Sequence, residues 1–450
     1  MTRQITLVCL VAIGLAVPAL VRAEHTRSWR QTEYSEFDRG TAKGVALRSD
    51  GKLMPAPKFA PFSDPNLAYL WALRLDSRGR LYAAGGSDAK VLRFDDAGKA
   101  TTVFESTELA AQAIVFDAHD NLYVGTSPDG KVYKVTPDGQ KSVFFDPKTK
   151  YIWALAANPE GALFVATGDK GEVFVVTPEG SGRLFYQSDE RHARSLAFDA
   201  KGNLLIGTDP DGLILRVEVI RAVTSGGQSK FTSYQAGSSF VIYETNKKEV
   251  TSLLLDASGN LYAASIGEKQ RPAGAAPAMP AFPQAAAAPV TNTAQGIQGI
   301  NIAQAQAPPP QPNMTFPFLA STTGGAEVVK ISPDGSPDSM WNSREDLVFA
   351  MNLSSAGKVL LGTGNKGVLL LLEGNNIFSS VAKTASAQVT SLVAGPGGKI
   401  FVATANPGKI FTLGPGYETN GSFESESFDA KIFSHWGRLT WWGENGAAQG

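Results

Sequence analysis

The chain has 450 residues, of which 43% are hydrophobic and 18% charged, and its 41 Lys and Arg residues balance 42 Asp and Glu residues. This length is enough to bury a sizeable core, but the balanced charge excludes sequence-independent binding to nucleic acid, which requires neutralisation of phosphates. The single cysteine, Cys9, lies in the N-terminal leader, so a disulfide framework and thiol chemistry are excluded for the mature chain.

The N-terminus has the pattern of an export signal. A basic start at Thr2 and Arg3 precedes an apolar run from Ile5 to Leu20, and small residues follow at Val21 to Ala23. The run is too short to span a bilayer comfortably, and no later stretch is long and apolar enough to do so. We therefore expect a signal peptide over 1–23, a mature chain without a membrane span, and export to the periplasm or the extracellular space.

A short motif recurs at a fixed interval along the chain after the leader. Each unit contains an apolar strand, a polar turn with Gly, a strand ending in Gly or Ala, and two further strands. The hydrophobic residue that begins the second strand recurs at the same spacing, first at Leu81, Leu122, Leu163 and Leu204, and then at Val359 and Ile400. Short strands at a period of about 40 residues are typical of propeller blades. The sequence thus predicts an all-β fold over 24–430, a seven-bladed β-propeller with four-stranded antiparallel blades, with six or eight blades as alternatives.

Two insertions interrupt the repeat. The interval from Leu204 to Leu261 exceeds one period by a short segment, and the excess falls near 220–229. The interval from Leu261 to Val359 exceeds one period by a much longer segment, which contains a tract rich in Ala, Pro, Gln and Asn without any charge. Such a tract cannot bury a core, so we expect a disordered insertion over 268–324. It is either a tolerated surface excursion or a docking arm.

Both ends of the repeat region raise the question of ring closure. Residues 44–65 match only the second half of a blade, and 422–428 form an alternating strand pattern. One of them should complete the last blade, because a ring must close its edge. The tail over 431–450 contains three Trp residues, which are costly to leave in water. We expect it to cover the ring or to begin a further domain.

One motif carries a resemblance to known proteins. Asp256 is followed by Gly259-Asn260-Leu261-Tyr262 and then by a turn at Pro333-Asp334-Gly335. This pattern, over roughly 44–430, resembles secreted bacterial propellers of the NHL and WD40-like superfamily. The resemblance implies the fold. It implies no catalytic residues, because no catalytic motif matches, and the Gly-His and Trp-Asp pairs of WD40 repeats are absent in register.

Three motifs of enzyme chemistry fail on inspection. The glycines of 362–367 match a dinucleotide fingerprint but join two strands, whereas the fingerprint needs a helix start. The segment 125–129 lacks the final Gly of a nucleophile elbow, since Asp129 stands there. The histidines that remain beyond the leader region are not spaced as zinc ligands: His119, His192 and His435.

The register predicts a ligand site at one mouth of the central channel. Ten residues before each anchor, the innermost strands begin with Trp71, Gln112, Trp153, Arg194, Thr251, Phe349 and Thr390. Two residues earlier in three repeats are Tyr69, Tyr151 and His192. Aromatic faces beside Arg194 suit a sugar, a peptide or another amphipathic ligand. Our candidate ligand-binding residues are Tyr69, Trp71, Gln112, Tyr151, Trp153, His192, Arg194 and Phe349. The alternative is that Trp71 and Trp153 only plug the channel.

Acidic residues on the loops of the same face are weak candidates for a calcium site. They are Asp88, Asp129, Asp169 and Asp209. Asp residues in exposed turns usually bond only their own turn, and the sequence predicts no other cofactor.

Three functional hypotheses follow. The sequence favours an exported, non-catalytic binding or scaffold module that takes a protein, peptide or carbohydrate at the channel mouth. The alternative is a secreted propeller enzyme, a lactonase or lyase that uses rim carboxylates and a divalent metal. A third hypothesis is an assembly component that uses the insertion or the aromatic tail. Ligand identity and oligomeric state stay open.

Overall fold

The computed structural model describes residues 28–86, 88–226, 229–269, 324–430 and 435–443. The predicted signal peptide and nearly all of the predicted insertion over 268–324 lie outside the described residues. None of the helices in the described part has the length and apolar character that crossing a bilayer requires.

The structure consists of antiparallel strands, a four-residue helix and a 3-10 turn at Pro396–Gly398. The N-terminal segment contains α1 (Tyr34–Phe37), β1 (Thr41–Lys43), β2 (Val45–Arg48), β3 (Leu53–Pro55) and β4 (Pro57–Leu75). The first repeat continues with β5 (Leu81–Gly85), β6 (Lys90–Phe94) and β7 (Ala100–Phe104). The second contains β8 (Ala110–Phe116), β9 (Leu122–Ser127), β10 (Val132–Val135) and β11 (Lys141–Phe145). The third contains β12 (Ile152–Ala157), β13 (Leu163–Thr167), β14 (Glu172–Val176) and β15 (Gly182–Gln187).

The second half of the chain follows the same order. The fourth repeat contains β16 (His192–Phe198), β17 (Leu204–Asp209), β18 (Leu213–Gly226) and β19 (Ser229–Glu244). The fifth contains β20 (Lys247–Leu255), β21 (Leu261–Glu268), β22 (Ala326–Ile331) and β23 (Pro337–Ser343). The sixth contains β24 (Val348–Leu353), β25 (Val359–Thr363), β26 (Val368–Gly374) and β27 (Ile377–Lys383). The last strands are β28 (Gln388–Ala394), β29 (Ile400–Tyr417) and β30 (Ser422–Glu424).

The strands of the described residues form six propeller sheets, so the prediction of seven four-stranded blades is wrong. Four sheets have four strands each, β8–β11, β12–β15, β16–β19 and β20–β23, and two have six strands each. One six-stranded sheet has the order β24-β25-β26-β27-β2-β3, and the other has the order β28-β29-β4-β5-β6-β7. The physical reason is the length of β4, which pairs with β29 through its first part and with β5 through its last part. It thereby joins the first and last repeats into one sheet.

The N-terminal segment closes the ring by three long-range pairings. β4 pairs with β29, β2 pairs with β27, and β1 forms a separate two-stranded sheet with β30. The predicted strand over 422–428 forms only at Ser422–Glu424, and it does not complete a propeller sheet. Closure by the N-terminal segment leaves fewer unpaired edges at the junction of the two chain ends.

The core lies between neighbouring sheets around the axis. The innermost strands contact one another in cyclic order, β4, β8, β12, β16, β20, β24 and β28. The second strands β5, β13 and β25 are buried along their whole length, which explains their unbroken apolar character. Aromatic side chains join adjacent sheets, as in the contact of Tyr82 with Phe116 at 4.9 Å and of Phe164 with Phe198 at 5.3 Å between ring centroids.

The repeated Asp of the resemblance motif has a structural role. Asp256 Oδ1 accepts hydrogen bonds from the backbone N–H groups of Ser258 and Asn260, both at 2.9 Å. Its Oδ2 accepts from Asn260 Nδ2 at 2.7 Å and from the Tyr262 hydroxyl at 3.3 Å. Gly259 has φ +80° in the same turn, which favours glycine. The motif therefore builds the turn between the first two strands, and it is a signature of the fold.

The shorter insertion extends a hairpin, and the tail is exposed. β18 and β19 continue past the sheet as a two-stranded ribbon, and Tyr234 from this ribbon is buried against Phe164 of the preceding sheet. In the tail, 435–443 have no regular secondary structure, and its Trp side chains are 77–83% exposed: Trp436, Trp441 and Trp442. The other residues of the predicted tail lie outside the described part of the chain.

Candidate functional site

Each of the seven residues that stand ten positions before an anchor occupies a β-bulge. In the first innermost strand, Leu70 pairs with Gly85 and Ala72 pairs with Ala84, so Trp71 is the extra residue between two consecutive pairs. A bulge re-aims the side chain of the extra residue away from the sheet. The register shifts at equivalent positions in the other innermost strands, at Gln112, Trp153, Arg194, Thr251, Phe349 and Thr390.

A glycine accompanies every aromatic residue of this set. Fifteen positions after Trp71, Trp153 and Phe349 stand glycines, whereas the other repeats have Ser127, Asp209, Ile266 and Ala405 there. A Cβ on Gly168 would lie 2.8 Å from Trp153 Nε1, and a Cβ on Gly364 would lie 2.5 Å from Phe349 Cε2. In these two repeats the glycine that follows the second strand therefore leaves space for the aromatic ring, whereas a Cβ on Gly86 would meet Leu67, at 3.3 Å, before any atom of Trp71. The spacing of each aromatic residue from its glycine is a sequence signal that the prediction did not use.

Some of the residues at the bulges form hydrogen bonds between strands. Thr251 Oγ1 donates to the Val348 carbonyl at 2.7 Å, and Thr390 Oγ1 donates to the Leu70 carbonyl. Both bonds satisfy backbone groups at the inner edge of the next strand. Gln112 Oε1 accepts a hydrogen bond from Ser127 Oγ at 3.1 Å.

Trp153 is at the centre of the densest cluster at the mouth. The Tyr151 ring stacks on it with centroids 5.0 Å apart and an interplanar angle of 13°. The Arg194 guanidinium carbon lies 3.9 Å from the Trp153 ring centroid, in cation–π geometry. The mouth therefore presents a fixed aromatic surface beside a cation.

His192 joins this cluster as a neutral side chain. Its Nδ1 lies 3.3 Å from both Trp153 Nε1 and the Asp169 backbone nitrogen, which donate to it. The proton is thus assigned to Nε2, which faces Asp209 Oδ2 at 3.9 Å. Burial, followed by the nearby Arg194 charge, lowers the pKa of His192 to about 4, so the ring is uncharged at neutral pH.

Two acidic residues complete the charged side of the mouth. Glu249 Oε1 accepts from Arg194 Nε at 2.7 Å and from its Nη2 at 2.5 Å, which fixes the guanidinium. Burial, followed by the charge of Glu249, raises the pKa of Asp209 to about 6. Asp209 Oδ1 is buried, accepts no hydrogen bond from the described residues, and lies 4.0 Å from Lys248 Nζ. The charged side of the mouth therefore holds a guanidinium that is paired with Glu249 and a carboxyl group whose pKa is raised.

Glu249 is a residue of the mouth that the sequence-based prediction omitted. It stands twelve residues before Leu261, the same offset that Tyr69, Tyr151 and His192 have from their own anchors, so the register could have identified it. Its pairing with Arg194 joins two neighbouring repeats, and this contact between sheets has no signal within one repeat.

The remaining aromatic candidates lie elsewhere on the ring. Tyr69 stacks on Trp71 with centroids 5.3 Å apart and an angle of 4°, the same arrangement as Tyr151 on Trp153. Phe349 packs over Gly364. The structure thus places the candidates at equivalent positions of the repeats and brings Tyr151, Trp153, His192 and Arg194 into one contact network.

Two open grooves border this network. One of about 530 Å³ is lined by residues that include Asp169, Lys170, Glu190 and Arg191. The other, of about 490 Å³, shares Asp169 and Lys170 and extends to Asp129. Both are charged and shallow, so they suit polar parts of a ligand that extends beyond the aromatic surface.

Three of the four candidate calcium residues, Asp88, Asp129 and Asp169, stand on separate loops, and Asp209 is the last residue of β17. Asp88 Oδ2 contacts Lys90 Nζ at 3.0 Å, and Asp129 Oδ2 contacts Lys131 Nζ at 3.5 Å, while Asp169 and Asp209 flank His192. The described residues contain no group of three His, Cys, Asp or Glu side chains arranged to hold one ion. A calcium site stays a prediction.

Comparison with known proteins identifies the fold. Solved structures of similar shape include a streptogramin B lyase, with 9% identity and a TM-score of 0.56, covering 80% of this chain and 98% of the lyase. The virginiamycin B lyase of Staphylococcus aureus has 10% identity and a TM-score of 0.53 over 79% of this chain and 98% of its own. The WD40 propeller domain of Doa1 has 11% identity and a TM-score of 0.50 over 80% of this chain and 98% of its own.

The fold is a β-propeller. This confirms the fold that the resemblance implied. No protein-family model matches the chain, and no curated protein is similar to it in sequence. Such low sequence identities carry the fold alone, so function has to be argued from the mouth itself.

Proposed function

We propose that this propeller is a non-catalytic binding module that takes an amphipathic peptide or carbohydrate at the channel mouth around Trp153. The observation that carries the proposal is the network in which Tyr151 stacks on Trp153 and Arg194 lies 3.9 Å from the indole centroid. Aromatic faces supply apolar contact area, and a few fixed polar groups orient the ligand.

The network is preorganised, which supports a binding role. Glu249 holds Arg194 through two hydrogen bonds, and Trp153 Nε1 donates to His192 Nδ1. Side chains that are already ordered lose little entropy when a ligand arrives. The neutral His192 offers its Nε2–H as a donor at the same mouth, beside the acceptor oxygens of Asp209.

Export is part of the proposal. The pattern of a basic start, an apolar run and small residues over 1–23 supports secretion, and the ligand would then be met in the periplasm or outside the cell.

A peptide array and a glycan array would find ligands, and isothermal titration calorimetry would compare variants. We expect Trp153→Ala to weaken binding at least tenfold, since aromatic anchors at the centre of interfaces contribute about 2 kcal/mol or more. Trp441→Ala removes an indole that is 83% exposed in the tail, and it should bind like the wild type. Equal affinity of Trp153→Ala and wild type for every hit would contradict the proposal.

A second function is favoured by one observation, the raised pKa of Asp209. A buried carboxyl group with a pKa of about 6 and an oxygen without a hydrogen bond from the described residues is suited to general acid–base catalysis. The alternative is therefore a lyase or lactonase that uses Asp209 with a divalent metal. A panel of lactones and glycosides, assayed with calcium, magnesium or EDTA, would separate the two. Turnover that is lost in Asp209→Asn while the ligand still binds would favour the enzyme.

A further inference from the structure

One cation, Arg74, lies on the innermost strand β4 of the first repeat. Arg74 stands three residues after Trp71 on β4. The Leu73 N–H donates to Ser391 Oγ of β28 at 3.0 Å instead of to β5, so the backbone groups of Leu73 point to the inner edge of β4. Arg74 Nη1 donates to the Leu73 carbonyl at 2.8 Å, which brings the guanidinium to the edge that lines the axis.

The surroundings of Arg74 contain little that could balance its charge. Equivalent positions on the other innermost strands carry Val115, Ala156, Ala197, Leu254, Asn352 and Val393. Asn352 uses its Nδ2 on the Leu392 carbonyl at 3.1 Å. Among the described residues, Arg74 forms no ion pair with a carboxylate, and one hydrogen bond accounts for one of its five donors.

Arg74 is accessible to water and yet enclosed by protein. Its side chain is exposed, while desolvation by the surrounding atoms lowers the pKa of the guanidinium. Both properties fit a group in a narrow wet channel, where the walls are protein and the lumen is water. A cation in such a place has lost part of its hydration without gaining a counter-charge, which is unfavourable unless an anion joins it.

We propose that Arg74 is a binding site for a single anion of carboxylate or halide size inside the channel. A planar guanidinium binds a carboxylate through two parallel hydrogen bonds, and the free donors of Arg74 allow this. The anion is either a free ion from solution or the acidic group of a larger ligand. The site does not depend on Trp153, so its test is independent of the test of the proposed function.

The test compares thermal unfolding of the wild type, Arg74→Gln and Arg221→Gln as sodium acetate or sodium bromide is added. Arg221 is an exposed Arg of the β18 hairpin, so its substitution removes the same charge from an open site. We expect the Tm of the wild type and of Arg221→Gln to rise by about 1–2 °C when the anion exceeds its Kd tenfold. In Arg74→Gln this rise should disappear, and its Tm at low salt should exceed that of the wild type.

A bromide-soaked crystal of the full chain gives the direct measurement, an anomalous peak beside the guanidinium. If acetate raises the Tm and the ligands found with the peptide and glycan arrays raise it no further through Arg74, the bound anion is a free ion. Stabilisation by those ligands that requires both Trp153 and Arg74 identifies the acidic group of a larger ligand. The proposal is overturned if Arg74→Gln responds to anions like the wild type, or if its Tm is lower than that of the wild type at every anion concentration. The second result would make Arg74 only a partner for the Leu73 carbonyl.

Discussion

At the scale of single residues, His192 and Asp209 have pKa values displaced in opposite directions. The folded state keeps His192 neutral down to about pH 4, whereas the unfolded chain protonates this residue below about pH 6.5. His192 therefore contributes stability that is present above pH 6.5 and is lost as pH falls towards 4. Asp209 stays protonated in the folded state up to about pH 6, so its contribution is present at low pH and is lost as pH rises from about 4 to 6.

The pH-dependent contributions of His192 and Asp209 to stability should nearly cancel in the wild type. A single substitution of either residue should therefore reveal the contribution of the other. We expect the stability of Asp209→Asn, relative to the wild type, to rise from about pH 4 to pH 6, and that of His192→Gln to fall. Each change should amount to about 1–3 kcal/mol. Urea unfolding at several pH values measures this, with Asp88→Asn on an exposed turn as the control. Parallel profiles for all four proteins would show that these two groups are not shifted.

Gly168 is the residue that makes room for the Trp153 network. Its replacement by Ala would put a methyl group 2.8 Å from Trp153 Nε1 and 3.0 Å from His192 Nδ1. We expect Gly168→Ala to displace both rings, to lower stability by about 1–3 kcal/mol and to weaken ligand binding.

The matched control for Gly168 is Gly374→Ala. A Cβ there approaches only Ile377, at 4.0 Å, so binding and stability should stay close to those of the wild type. If calorimetry finds the same ligand affinity for Gly168→Ala as for the wild type, Trp153 is not part of the binding surface.

At the scale of elements, the Asp turns explain why the repeat is so regular. Asp256 receives four hydrogen bonds from Ser258, Asn260 and Tyr262. Desolvation acts to raise the pKa of Asp256, but the bonds from Asn260 and Ser258 outweigh it and lower the pKa below the ordinary value. Stability from this group is therefore present above about pH 4 and is lost in more acidic solution.

Removal of the turn carboxylate should destabilise the fold. We expect Asp256→Ala to lower the free energy of unfolding by about 1–3 kcal/mol, because several donors lose their acceptor. Asp96→Ala, at an exposed position in the turn between β6 and β7, should change stability by less than about 0.5 kcal/mol. Equal denaturation midpoints for the two variants would contradict a structural role for the motif.

Elements that depend on local chemistry can be predicted from the sequence. The anchors mark the buried second strands, and a count of ten residues locates every bulge at the mouth, because the distance from the bulge to the second strand is the same in each repeat. The joining of strands from different repeats into one sheet cannot be predicted from the repeat pattern. It depends on the pairing of β4, near the start of the described chain, with β29, near its end, and such pairing leaves no periodic signal.

At the scale of the whole molecule, closure depends on the N-terminal segment. Ala60 on β4 is the register partner of Thr412 on β29, and facing residues in an antiparallel pair are close enough for a disulfide. In a chain without Cys9, Ala60→Cys with Thr412→Cys should oxidise readily. The bond should stabilise the protein by about 3–5 kcal/mol.

The control for closure is the reduced double variant, which should unfold like the wild type. Failure of the native protein to form this bond, or a bond that leaves the unfolding transition unchanged, would mean that the first part of β4 does not close the ring.

The Trp153 network at the mouth is the proposed binding surface. Hydrogen–deuterium exchange of the full chain with and without a saturating ligand from the arrays tests it most directly. We expect protection to concentrate in segments 149–155, 167–171 and 190–196, which contain Tyr151, Asp169 and Arg194. Protection confined to the outer strands or to 435–443, with these three segments unchanged, would contradict the claim.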